Sequence, residues 1–209
     1  AGSERIFETI DEQSEYQDTP DTVTPEKIKG EVVFDHVDFE YVPGVPVLRD
    51  VSFHAKPGQI IALVGPTGAG KTTIINLLSR FYEIGSGTIS IDGKDIRDLK
   101  KADLRRKLGV VLQDTFLFSA TVMENIRYGR LGATDEECIA AAQRVNAHEF
   151  IMRLPQGYET RIGESGLALS GGQKQRLAIG SVLALEPEVL VMDEPTTDLD
   201  PQGREEVLY

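Results

Sequence analysis

The stretch Gly65-Pro-Thr-Gly-Ala-Gly-Lys71-Thr72 constrains this chain more than any other. It fits the pattern G-x-x-x-x-G-K-[ST]. It lies between an apolar run, residues 59–64, and a segment with helical periodicity through Ile74, Ile75, Leu77, Leu78 and Phe81. The run predicts a buried strand, and residues 71–81 predict a helix. A strand that enters a helix through a glycine-rich turn is the context in which this pattern cradles phosphate. Glycines let the backbone curl so that several N–H groups point at one anion. The helix N-terminus adds its positive end. Candidate phosphate-binding residues are therefore Gly65, Pro66, Thr67, Gly68, Ala69, Gly70, Lys71, Thr72 and Thr73. Lys71 is placed to reach the β- and γ-phosphates, and the Thr72 hydroxyl to ligate Mg²⁺.

A site of this kind needs an acid on a neighbouring strand. Val189-Leu-Val-Met192 is an apolar strand pattern that runs into Asp193-Glu194. Asp193 suits a metal ligand and Glu194 a general base for an attacking water. Ser170-Gly171-Gly172-Gln173 opens a long helical pattern, residues 171–185, ended by Glu186-Pro187. A serine and two glycines at a helix start form another anion-binding arrangement, or a plain N-cap.

The remaining patterns fill in one α/β domain, for which 209 residues provide enough core. Residues 33–41 and 51–53 read as strands with Pro43-Gly44 as a turn. Residues 88–91, closed by Asp92-Gly93, and residues 108–112 read as further strands. Residues 121–155 read as mostly helical, with a capping box at Thr134, and residues 157–169 as a loop. A short helix is expected over residues 3–11, capped by Ser3.

Composition excludes several functions. The net charge is −12, which argues against a nucleic-acid partner. Half of that charge lies in residues 1–31, which hold nine Asp/Glu and three Lys/Arg and read as a solvated linker. Cys138 stands alone, and His36, His54 and His148 carry no metal spacing. No apolar run is long enough to span a membrane, so any membrane role requires a partner.

Taken together, the phosphate cradle, Ser170-Gly-Gly-Gln173 and Asp193-Glu194 resemble the nucleotide-binding domain of ABC transporters, over residues 30–209. The resemblance implies a P-loop NTPase core of α/β class. It adds an antiparallel β-subdomain, and an α-helical subdomain at about residues 84–169. It implies ATP and Mg²⁺ as ligands, with Lys71, Gln113 and Glu194 as catalytic residues and Thr72, Gln113 and Asp193 around the metal. Tyr41 resembles the aromatic residue that stacks on adenine, and residues 197–200 the loop that crosses to the opposite subunit, with Asp200 at the nucleotide. Residues 161–166 resemble the exporter-type loop that touches a membrane domain. In this family two domains pair head to tail, so that Ser170, Gly171, Gly172 and Gln173 of one close over ATP held by the other. The implied location is the cytoplasmic side of the cell membrane, held through a transmembrane domain. The implied work is transport powered by ATP-driven dimerisation.

Two departures qualify these expectations. No histidine follows His148, whereas the family carries a histidine switch beyond the catalytic glutamate. A truncated domain that binds nucleotide with little turnover is therefore the alternative. The second departure concerns origin. Residues 1–166 are exporter-like, while residues 170–203 resemble importer ATPases of the energy-coupling kind, with Pro195 where exporters usually have alanine. A spliced or engineered chain joined near residues 166–169 accounts for this, as does ordinary divergence. A soluble ABC ATPase of DNA repair or translation fits the linker and acidic charge less well.

Overall fold

The hydrophobic phase of the first strand fixes the shape of the largest sheet. In β1 (Val32–Val42) the buried residues are Val32 and Phe34, then Val37 and Phe39. Alternation skips one residue between these pairs, so the strand must take up an extra residue to keep both pairs facing the core. His36 is that residue, with a left-handed φ of 49°, and the pairing with β2 (Val45–Ala55) shifts register there. Pro43 and Gly44 form the expected turn of the hairpin, with Gly44 at φ 83°. β3 (Ser86–Ile91) pairs antiparallel with β1, and β4 (Lys94–Asp95) with β3, giving the order β2-β1-β3-β4. The computed structural model describes residues 7, 18–25, 27–163 and 167–195. The helix expected over residues 3–11 and the loop at residues 197–200 thus lie outside the described residues, Phe7 apart.

The helices follow their caps. α1 (Lys71–Leu78) is flanked by Gly70 and Ser79, and its last residue, Leu78, falls three residues before the end that the periodicity implied. Arg80 turns the chain out of the helix with φ 52° and is itself buried. Its guanidinium donates to the carbonyls of Ile96 (3.1 Å) and Leu99 (2.8 Å) and pairs with Glu83 at 3.0 Å. Hydrogen-bonding a buried cation outweighs one more helical turn. α2 (Lys101–Lys107) leads directly into β5 (Leu108–Val111). α3 (Val122–Arg127) and α4 (Asp135–Arg144) each start with a full capping box, from Thr121 and from Thr134 as expected. α5 (His148–Met152) follows, and α6 (Gly171–Ala184) opens with a third box formed by Ser170 and Gln173.

Two cores result. One joins β1, β3, α1 and α2 around Phe34, Leu77, Ile89 and Leu104. The other packs α3, α4, α5 and α6 around Ile126, Cys138, Ile151 and Leu177. β5 pairs in parallel with β6 (Val189–Met192), and this ladder lies between the cores.

Residues 59–64 differ from the expectation of a buried strand. They take no place in either sheet, and Ile60 and Val64 are each 94% exposed. An all-apolar strand is buried only with sheet neighbours and covering layers on both sides. Among the described residues the parallel ladder has two strands, and its Leu190 and Met192 are also exposed. The acidic leading segment also differs where it is described. Val23 bridges to Leu99, the Thr24 hydroxyl donates to Asp103 at 2.6 Å, and Asp18 lies 3.8 Å from Arg80.

Candidate functional site

The glycine-rich turn is built where α1 meets the tip of the β-sheet. Gly70 is its hinge. It has φ 88°, and a Cβ there would come within 2.6 Å of the Leu48 side chain, so only glycine fits. No side chain caps the first turn of α1, and no acid lies in it. The helix therefore presents its N–H groups and positive dipole end to the turn. Ala69 N–H donates to Pro66 O at 3.1 Å and tightens the loop. The Lys71 ammonium folds over it, donating to Gly65 O (2.9 Å) and Pro66 O (3.2 Å).

The opposite wall comes from the parallel ladder. Asp193 N–H donates to Val111 O at 2.9 Å, which extends the pairing one residue beyond β6. This places Asp193 and Glu194 beside the exit of β5, where Gln113 lies. Asp193 is buried and accepts from the Thr72 hydroxyl at 2.6 Å. Glu194 adopts φ 46°, a left-handed conformation that costs a non-glycine residue about 1–3 kcal/mol. In return its carboxylate turns back towards the cradle. It lies 3.5 Å from Lys71 Nζ and accepts from Gln113 Nε2 at 3.3 Å. Lys71, Thr72, Gln113, Asp193 and Glu194 are thus brought together from three separate stretches of sequence.

Tyr41 reaches the same region from the end of β1. It is 44% exposed and so is not a core aromatic. Its hydroxyl donates to Thr73 Oγ1 at 3.2 Å, on the helix that carries the cradle.

Ser170 and Gln173 are engaged elsewhere. The Ser170 hydroxyl accepts from Gln173 N–H at 3.3 Å, and the Gln173 side chain accepts from Ser170 N–H at 3.0 Å. The four-residue stretch thus caps α6 and does not join the Lys71–Glu194 cluster. Asp200 lies outside the described residues. A contact between the Thr115 hydroxyl and Gln175 ties the chain after Gln113 to α6.

Sequence reasoning passed over three residues that shape this region. Buried Asn125 binds Phe118 N–H (2.8 Å), Phe118 O (3.1 Å) and Thr121 O (2.9 Å), fixing the turn before α3. Tyr82 and Asn76 contact Tyr41. An asparagine just inside a helix with a Thr N-cap could have flagged Asn125; no local pattern marks Tyr82.

The sequence model of the ABC transporter family matches residues 48–197, most of the chain and all of the clustered residues except Tyr41. The chain belongs to the ABC transporter family. It is 49% identical over 200 residues to an uncharacterised ABC transporter ATP-binding protein, YknV, of Bacillus subtilis. That alignment covers 96% of this chain and 33% of the relative. It is 47% identical to a fatty acid ABC transporter ATP-binding/permease protein of Mycobacterium bovis, covering 96% of this chain and 31% of that one. A bacterial Atm1-family ABC exporter solved with ATP bound superposes with a TM-score of 0.91 at 43% identity, over 99% of this chain and 36% of that one. This ABC domain therefore spans about a third of the length of the relatives it matches. The P-loop NTPase fold expected from the motifs is the fold of that exporter's ATP-binding domain.

Proposed function

We propose that this domain binds and hydrolyses Mg·ATP, and that its cycle of closure and opening powers export through a transmembrane domain. The observation that carries the reading is the convergence of Lys71, Thr72, Gln113, Asp193 and Glu194 around the glycine turn. The turn and the start of α1 cradle the phosphates. Lys71 exchanges its two loop carbonyls for phosphate oxygens, a stronger, charge-assisted pairing. Thr72, Asp193 and Gln113 supply the hard oxygen donors that suit Mg²⁺, which when bound neutralises charge on the phosphates. Glu194 takes the proton of the attacking water, and Gln113, 3.3 Å from it, orients that water. Tyr41 stacks on the base.

Closure needs a second copy. Ser170, Gly171, Gly172 and Gln173 lie at the N-terminus of the 14-residue α6, a site for the phosphates held by the other domain. The family resemblance gives Asp200 a role at the other domain's nucleotide. The membrane-domain partner fits a different face. Phe116, Phe118, Tyr128 and Leu131 are all exposed and lie beyond Gln113. Phe118 meets Phe116 edge-to-face at 5.3 Å and Tyr128 at a tilt at 4.5 Å. Arg161 donates to Ser119 O at 3.1 Å, which sets Arg161 next to Phe118 in the chain fold. An exposed apolar patch of this kind marks a protein contact, and we assign it to cytoplasmic helices of the transmembrane domain. No helix of the described residues is long and apolar enough to cross a membrane itself. On this reading the transmembrane partner holds the domain at the cytoplasmic face of the membrane.

Steady-state phosphate release from Mg·ATP tests the reading. Glu194→Gln is expected to lower it by about 10²–10⁴-fold, the usual contribution of a general base, and Lys71→Ala to abolish it. Release at the parent rate from Glu194→Gln contradicts the role of Glu194.

A further inference from the structure

Tyr41 is held on three sides. Its ring meets Phe39 at 4.7 Å with an interplanar angle of 88°, and Tyr82 at 4.9 Å with 86°. Phe39 is buried in the first core and also touches Tyr82, at 5.9 Å. The Tyr41 oxygen donates to Thr73 and accepts from Asn76 Nδ2 at 3.4 Å. Two near-perpendicular neighbours fix the plane of a ring, because edge-to-face contacts are lost when it rotates. The two hydrogen bonds fix its far end on α1, the helix that carries Lys71 and Thr72.

A stacking platform is useful only when its plane is set before the ligand arrives, since ordering it on binding costs affinity. We propose that Tyr82 and Asn76 are positioning residues for the base platform. They hold Tyr41 at a fixed height and angle relative to the phosphate cradle. Neither belongs to the glycine-rich turn or to the acidic strand end. Tyr82 is 41% exposed, so its replacement leaves the buried core in place. Asn76 lies on α1 three residues after Thr73, so both side chains emerge on one helical face. Base and phosphates are then gripped from one rigid element. The inference rests on the nucleotide-binding reading above.

Equilibrium competition against a fluorescent ATP analogue tests it, with Mg·ATP and Mg·tripolyphosphate as the competitors. Tripolyphosphate engages the cradle but has no base. Tyr82→Leu is expected to weaken Mg·ATP by about three- to tenfold and to leave tripolyphosphate unchanged. Tyr82→Phe keeps the ring and retains the parent affinity. In a Tyr41→Leu background, Tyr82→Leu adds no further loss, because the two residues act as one unit. Asn76→Ala follows the same selectivity on a smaller scale and carries the test if Tyr82→Leu does not fold. Parent-like ATP affinity in Tyr82→Leu, or an equal loss for both competitors, overturns the inference. If Tyr41→Leu weakens ATP and Tyr82→Leu does not, the nucleotide reading stands and this inference falls. If the parent binds neither competitor, the nucleotide reading falls and the inference with it.

Discussion

Asp193 shows how much one residue depends on its partner. It is 5% exposed and accepts from the Thr72 hydroxyl at 2.6 Å. Removing a donor from a buried acceptor costs about 1–3 kcal/mol, because the acceptor stays dehydrated. Thr72→Val keeps the shape of the side chain and deletes only the hydroxyl. It is expected to lower unfolding stability by about that amount in urea denaturation without nucleotide, and to weaken Mg²⁺-dependent ATP binding. Unchanged stability would mean that the bond contributes nothing to the fold. Thr72, Lys71, Asp193 and Glu194 were all legible in the sequence. The proposed phosphate and metal chemistry would fix both their residue types and their spacing along a strand or turn. Tyr82 and Asn125 were not. Their roles rest on contacts with Tyr41 and with the Phe118 backbone, and a side chain that meets a distant ring leaves no local period to read.

At the scale of elements, the hairpin of β1 and β2 is governed by a polar network at its bulge. His36 N–H donates to Ser52 Oγ at 2.9 Å and its ring pairs with Asp50 at 2.5 Å. Asp50 N–H donates to Asp38 at 2.9 Å, and Ser86 on β3 donates to Asp38 at 2.7 Å. The Asp50 hydrogen bond, with the charges of Asp50, Asp35 and Asp38, raises the His36 pKa above its ordinary 6.5. The Ser86 and Asp50 hydrogen bonds lower that of Asp38 below 3.8. A raised histidine stabilises fully below 6.5 and loses that contribution as pH rises through its folded value. A lowered carboxylate stabilises above 3.8 and loses it as pH falls through its folded value. The contribution of this pair of groups to the melting temperature is therefore expected to be greatest between these limits. His36→Gln should flatten the decline on the alkaline side and leave the acid side intact. An unaltered alkaline limb would show that His36 does not link the strands. The hairpin itself was legible, because alternation and Pro43-Gly44 are local signals. The end of α1 was not, because burial of Arg80 against Ile96 and Leu99 overrides a periodicity that continues to Phe81. The strand at residues 59–64 was misread for a related reason. Its apolar composition is local, but its burial depends on neighbours that the described sheets do not provide.

At the scale of the molecule, the site lies on the seam between two bodies. One core fixes α1 and the tip of β1, the other fixes α6, and the β5–β6 ladder sets Gln113 and Asp193 between them. Lys71, Glu194 and Gln113 cross that seam through two polar contacts, of 3.5 Å and 3.3 Å. Both are of a kind that phosphate can replace. A ligand that binds there shifts the relation of the bodies by its preference for one arrangement. Under the function proposed above, the Ser170 cap of α6 is the part that would meet the nucleotide of a second copy. Under the proposed function the turn from Gly65 to Thr72 is an ATP site. Equilibrium titration of the chain with Mg·ATP, beside Lys71→Ala, tests it most directly. Saturable binding by the parent and at least a tenfold weaker affinity in the variant, roughly 1.4 kcal/mol, are expected. Equal affinity in the two proteins, with both folded, would contradict it.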